Sequence, residues 1–262
     1  MDKNKVLIIV GGRFDPFSEI LSDEYYSWDR IKEYCSNETY MRNPIAVIDY
    51  YNELRKRTKQ TAISSMHYAI AKLACAAPRY EVLDESVLGF TDFALTRTED
   101  YRIEKYGINA LDADFVRYSG IRGTIWLSEC PDCFHYQVYQ NDPQSYGATS
   151  PSGKLLRPAV SWPGEDFYIN NEGVLSSIES AKIVILLGVD LRNRVYDGID
   201  TALLGKNKED VIILNDREEE FGDMTPGTKA KYTVYNRITE SLINNIANDI
   251  YDQYKDVKLL EI

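Results

Sequence analysis

VLIIVGGRFDPFS, residues 6–18, runs an uninterrupted apolar stretch straight into Gly11 and Gly12. A buried strand followed by glycines is how an open α/β sheet brings backbone N–H groups close to a phosphate at a helix N-terminus. Any buried first strand also needs a tight turn after it. On its own the segment therefore leaves a phosphate loop and a plain turn both open.

Working outward, RNPIAVIDYYNELRKR (residues 42–57) repeats Ile45, Ile48, Tyr51 and Leu54 at helical spacing. SSMHYAIAKLACAAP (residues 64–78) puts Met66, Ile70, Leu73 and Ala74 on one face and stops at Pro78. Both read as amphipathic helices. Near the end, Val234, Ile238, Leu242, Ile246 and Ile250 predict a long closing helix over 234–254. The stretch QNDPQSYGATSPSG, residues 140–153, is the clearest loop.

With 262 residues, 44% of them hydrophobic, the chain can bury a substantial core. A net charge of −11 argues against broad phosphate-backbone binding, so nucleic acid is not an expected partner, though a local basic groove stays open. The longest apolar runs are far too short to span a bilayer. Asp2, Lys3 and Lys5 lead into a strand with no cleavage pattern, so a cytosolic location is expected. Four cysteines, with Cys35 and Cys75 inside apparent helices, do not suggest a disulfide scaffold.

Several segments in order resemble the motifs of the sirtuin (Sir2) family. Pro44, Tyr50, Tyr51, His67, Ala69, Ala71 and Leu73 fit its two early helices. FALTRTEDYRIEKYG (93–107) looks like its strand and turn that normally read TQNxD, and FVRYSG (115–120) sits where the family has a histidine-glycine pair. SECPDC (128–133) supplies a first cysteine pair, and LLRPAVSWPGEDF (155–167) resembles the arginine-proline and glycine-glutamate segment after the zinc module. IESAKIVILLGVDL (178–191) and VIILN (211–215) resemble its late strands.

The resemblance implies a Rossmann-like α/β fold, with a parallel sheet flanked by helices on both faces and a small inserted module. Strands are expected near Val6, Phe93, Phe115, Ile183 and Ile212. Residues 1–120 and 158–262 would form the large domain, and residues 121–157 a degenerate zinc-module-like insertion.

It also implies NAD or ADP-ribose as ligand, and places the departures at the chemistry. Where the family has an asparagine, an aspartate and a histidine base, this chain has Thr98, Asp100 and Ser119. Serine cannot take up a proton near neutral pH, and a positioned base is worth roughly 10² to 10⁴ in rate. The implied cofactor contacts are Gly11, Gly12, Arg13 and Ser18, then Gly188, Asp190 and Asn215. Arg13 puts a side chain where backbone should approach the pyrophosphate. It can bind phosphate through its fork or serve as a surface ion pair. Asp190 would repel phosphates unless Arg192 or Arg194 neutralises it.

Cys130 and Cys133 are half of a zinc site with no second pair, His135 being the only nearby histidine, which argues against bound zinc. His67 is expected to be structural. FALTRTEDYRIEKYG and FVRYSGIRGTIWLSECPDC also resemble the macrodomain-linked ADP-ribosyltransferase sirtuins. The expected function is a nucleotide- or protein-binding module with impaired NAD chemistry. The alternative is an active ADP-ribosyltransferase, deacylase or NAD hydrolase.

Overall fold

The computed structural model describes residues 5–12, 28–106, 116–139, 144–206, 210–215, 233–235 and 237–255. Its first strand, β1 (Lys5–Val10), is buried along nearly its whole length and pairs in parallel on both sides, Val6 with Tyr80 and with Ile183. A strand with neighbours on both edges and helices on both faces must be apolar throughout, and LIIV is. Val6, Ile8 and Val10 enter one apolar core while Leu7 and Ile9 enter the other. That alternation follows from the two-residue period of the pleat.

The strands after it are β2 (Arg79–Asp84), β3 (Val116–Gly120), the hairpin β4 (Gly123–Cys130) and β5 (Cys133–Tyr139), then β6 (Arg157–Val160). β7 (Ile183–Leu187), β8 (Val211–Leu214) and β9 (Thr233–Tyr235) complete the series. The large sheet has the order β3-β2-β1-β7-β8-β9, all parallel. This is the doubly wound order, with its topological switch between β1 and β7.

The helices are α1 (Trp28–Tyr34), α2 (Asn37–Arg42), α3 (Pro44–Gln60) and α4 (Ser65–Cys75), then α5 (Phe90–Tyr106), α6 (Asn171–Ser180), α7 (Ile199–Leu204) and α8 (Glu240–Tyr254). α4, α5 and α8 cover one face of the sheet, and α6 and α7 cover the other. α3 starts where Asn43 accepts the Ala46 N–H and Pro44 fills the first turn. α4 starts at Ser64 in the same manner and ends before Pro78.

The small module is the antiparallel sheet β5-β4-β6. Its inner side does not stand alone. Tyr40, Val47, Tyr50, Tyr51 and Leu54 of α2 and α3 join Ile125, Trp126, Val160 and Trp162 in a third core. Trp162 Nε1 donates to Tyr51 Oη at 2.8 Å, and Arg55 Nε donates to the Ile125 carbonyl at 2.5 Å. β6 belongs to this sheet through its antiparallel pairing with β4.

Four readings from sequence are corrected. The strand expected near Phe93 is the helix α5, with Thr91, Ala94 and Leu95 buried at helical spacing; the strand beside β1 is β2. Val234 lies in β9, and the closing helix begins only after its cap Thr239. Ile45 is 53% exposed, its expected place in the core being taken by Val47 and Tyr50. Cys35 follows α1 instead of lying within a helix.

Candidate functional site

The residue after each central strand continues the ladder onto its neighbour. Gly11 N donates to Leu187 O at 2.8 Å, Glu85 N to Val10 O at 2.9 Å and Ile121 N to Asp84 O at 2.7 Å. On the other side Gly188 N donates to Leu214 O at 2.9 Å and Asn215 N to Tyr235 O at 3.1 Å. These bonds line up residues 11, 85, 121, 188 and 215 along the carboxyl edge of the sheet, at the switch point where open α/β sheets bind ligands.

At that point β1 and β7 approach through glycine alone. A Cβ on Gly11 would lie 2.4 Å from the Gly188 carbonyl oxygen, and Gly188 itself has φ +57°. Neither position accepts a side chain without backbone movement. Gly12 is different, being exposed, with Glu85 Oε2 3.4 Å from the position of its Cβ.

Glu85 ties several elements of this edge together. Tyr196 Oη donates to its Oε1 at 2.5 Å, Asn193 Nδ2 donates to its Oε2 at 3.3 Å, and Arg122 Nε stands 3.7 Å away. Asp84, fully buried, accepts the Ser86 N–H at 2.8 Å and the Tyr118 hydroxyl at 3.3 Å. Burial first, and then the adjacent carboxylates, hold the Tyr118 and Tyr196 hydroxyls well above the ordinary tyrosine range. Both phenols are therefore fixed donors at neutral pH.

Of the residues expected from sequence, Gly11, Gly12, Ser119, Gly188, Asp190 and Asn215 come to this edge. Ser119 is the penultimate residue of β3, opposite Leu83. Arg192 forks onto Asp190, with Nε and Nη2 each 3.0 Å from its oxygens, the neutralisation that a carboxylate here requires. Asn215 is buried and donates to Val189 O at 3.3 Å.

Thr98 and Asp100 lie in α5, which packs on α4, and not on a strand and turn. The Thr98 hydroxyl donates to the Ala94 carbonyl at 2.7 Å. Arg13, Ser18 and Gly107 lie outside the described residues, as do the side chains of Asp100, Cys133 and His135. His67 is buried, its Nδ1 2.9 Å from Ser64 Oγ, and burial lowers it to about 4. It has the structural role expected of it.

Asp84, Glu85, Arg122, Asn193 and Tyr196 were not found from sequence. The available signal was RYEVLDES, residues 79–86, where a short apolar run follows a helix stop and ends in three polar residues.

On the small-sheet side lies a cleft of about 930 Å³ whose lining includes Tyr40, Met41, Lys154, Arg157, Phe167 and Tyr168. Its wall is braced by Arg157, which binds Glu129 at 3.0 Å, grips Glu165 through both terminal nitrogens at 2.6 and 3.0 Å, and lies over the Trp162 ring.

The fold is found in solved structures. A Sir2 homologue in complex with NAD superposes with a TM-score of 0.66 at 15% identity, over 96% of this chain and 91% of that one. The chain has the Sir2 fold. A mutant Sir2 homologue in complex with ADP-ribose gives 0.67 at 15% identity, over 98% and 95%. Sir2Tm bound to a propionylated peptide gives 0.55 at 13% identity, over 94% and 93%. No family sequence model and no curated protein sequence matches the chain.

The Sir2-like fold brings a structural zinc into question, and the described side chains alone do not make up a donor set for one. Cys130 and Cys133 are backbone register partners across the β4–β5 turn. In the loop before β6 the Ser150 and Ser152 hydroxyls bond each other at 2.7 Å, and the Lys154 ammonium is 2.9 Å from Asp132 of the β4–β5 turn. That hydrogen bond raises the Lys154 pKa. Among the described residues no three His, Cys, Asp or Glu side chains converge. An ammonium and hydroxyls cannot supply the anionic sulfur or imidazole ligands that close a structural zinc site. Among the described residues, too, no helix is long and apolar enough to cross a membrane.

Proposed function

We propose that this chain binds NAD or ADP-ribose at the carboxyl edge of its large sheet, and that its NAD-consuming chemistry is impaired. It then acts as a nucleotide- or protein-binding module. The observation that carries this reading is the glycine-only contact between Gly11 and Gly188 at the switch point, which leaves backbone where a dinucleotide's phosphates would come.

The groups around that contact are carboxylates and phenols already engaged with one another, and Ser119 supplies no proton acceptor at neutral pH. The ligand class is supported by the Sir2 homologues bound to NAD and to ADP-ribose. If the partner is a protein, the cleft beside Phe167 is our candidate for an extended segment, in keeping with the peptide complex of the same fold.

Calorimetric titration of NAD and ADP-ribose into the protein, with nicotinamide assayed in the recovered sample, tests the proposal. Binding without nicotinamide above background is expected. No heat with either ligand would remove the nucleotide reading.

One observation favours the second reading, an active NAD hydrolase, deacylase or ADP-ribosyltransferase. Glu85 places a nearly buried carboxylate beside Gly12. A carboxylate in that position can stabilise the cationic ribosyl centre as the bond to nicotinamide breaks, as carboxylates do in glycoside hydrolysis. Nicotinamide release that disappears in Glu85→Gln would establish this reading over the first.

A further inference from the structure

We infer that Arg122 is the residue that receives a phosphate oxyanion of a nucleoside diphosphate in this crevice, an inference that rests on the nucleotide-binding reading above. Arg122 follows β3 after a single residue, and its carbonyl accepts the Ser161 N–H at 2.8 Å, which fixes its backbone at the edge of the sheet. The side chain is 36% exposed. Its guanidinium carbon lies 4.9 Å from the centre of the Phe167 ring, and its Nε is 3.7 Å from Glu85 Oε2.

Neither contact is a hydrogen bond. Among the described residues the five N–H donors of Arg122 have no acceptor within hydrogen-bond distance, and the half-buried group is held between Glu85 and Phe167. Among the described residues, the other two arginines near this edge are already engaged. Arg192 is forked onto Asp190, and Arg194 donates to the Glu165 carbonyl at 2.7 Å. A guanidinium held over a ring with its fork open suits a phosphate or carboxylate oxygen pair.

Charge balance leads to the same residue. A phosphate drawn to the Gly12 backbone meets the Glu85 carboxylate, whose Oε2 is 3.4 Å from the Gly12 Cβ position. Two anions at contact repel in a partly buried site. The chain's net charge of −11 adds to that repulsion. Arg122 stands against the same Glu85 oxygen, where it offsets the carboxylate and still has donors to give. Glu85 meanwhile keeps the Tyr196 and Asn193 bonds that hold it in place.

The test is calorimetric titration of ADP-ribose and, separately, adenosine into wild type, Arg122→Gln and Arg122→Lys, with a thermal melt of each. Arg122→Gln should bind ADP-ribose at least about tenfold more weakly, the scale of a lost charge-assisted hydrogen bond, and adenosine unchanged. Arg122→Lys, which keeps the charge without the fork, should fall between. ADP-ribose affinity in Arg122→Gln within about threefold of wild type overturns the inference, as does an equal loss for both ligands. Should Arg122→Gln fail to melt cooperatively, the same comparison is decided on Arg122→Lys, where a loss of about threefold confined to ADP-ribose is required. A wild type that binds neither ligand removes the nucleotide reading and the inference with it. A wild type that binds ADP-ribose while Arg122→Gln binds it equally well removes the inference alone.

Discussion

Gly11 and Gly12 are neighbours with opposite tolerances. A methyl on Gly11 meets backbone, the Gly188 oxygen at 2.4 Å and Val189 Cα at 2.5 Å, whereas one on Gly12 makes an ordinary contact with the end of Glu85. Gly11→Ala should therefore destabilise by about 1–3 kcal/mol or more, as overpacking against an immovable wall does, and Gly12→Ala should remain close to wild type. Urea melts of the two variants give the comparison, and equal stabilities would contradict the close approach. His67 offers a pH test of similar sharpness. Burial lowers its folded pKa to about 4, against about 6.5 in an unfolded chain. The unfolded state then binds more protons between those values, so stability contributed by neutral His67 is complete above pH 6.5 and is lost as pH falls towards 4. The loss approaches about 3 kcal/mol. Subtracting the stability of His67→Gln from that of wild type, at pH 7.5 and again at pH 4.5, should show the difference shrinking; a difference independent of pH would mean the imidazole is solvated.

Among the elements, β6 carries an ion pair that packing makes obligatory. The side chains of Arg157 and Glu129 are 8% and 0% exposed, and Glu165 adds a second carboxylate that also accepts the Trp162 N–H at 3.0 Å. Arg157→Met leaves a buried carboxylate without its cation, and the expected loss is about 3–5 kcal/mol, part of it recovered when Glu129→Gln is added. Additive losses in the double variant would show that the two residues do not depend on each other. A chelator addresses the neighbouring hairpin. Because no second cysteine pair follows Cys130 and Cys133 and Lys154 is paired with Asp132 in their turn, excess EDTA should leave the melting temperature unchanged, whereas a protein closed by structural zinc would lose stability. Legibility also varied by element. β1, β7 and β8 are apolar throughout because both their faces are covered, and such runs announce themselves. β2 hid because Arg79, Glu81 and Asp84 interrupt it; Glu81 is nonetheless buried against Lys5 at 2.6 Å, a pairing that exists only once β1 lies alongside. The motif read into residues 93–107 failed for the converse reason. Its polar residues suited a turn, while Thr91, Ala94 and Leu95 keep a helical period that seats α5 on α4.

At the scale of the whole molecule, the parallel arrangement of the sheet decides where chemistry can occur; that arrangement was legible as a class, while the strand order was not, because β2 escapes a sequence reading that takes α5 for a strand. The residues that occupy the carboxyl edge were only half inferable. Gly11, Gly188, Asp190 and Asn215 follow strands directly and could be read one by one. Glu85, Arg122 and Tyr196 form a site only because β2, β3 and the loop after β7 end side by side, and no local pattern encodes that meeting. The same dependence gives a thermodynamic test. A ligand seated across the ends of β1, β2, β3, β7 and β8 finds its site only in the native sheet, so it stabilises the fold by mass action. At a concentration one hundred times its dissociation constant, ADP-ribose should add about 2.7 kcal/mol. For a chain of this length that corresponds to a rise in melting temperature of roughly 5–10 °C. The shift should grow with the logarithm of ligand concentration and weaken at high salt, because the proposed phosphate contacts are ionic. A melt that does not move in millimolar ADP-ribose would mean that the edge of the sheet is closed to nucleotides. The cleft beside Phe167 would then be the surface on which to look for a partner.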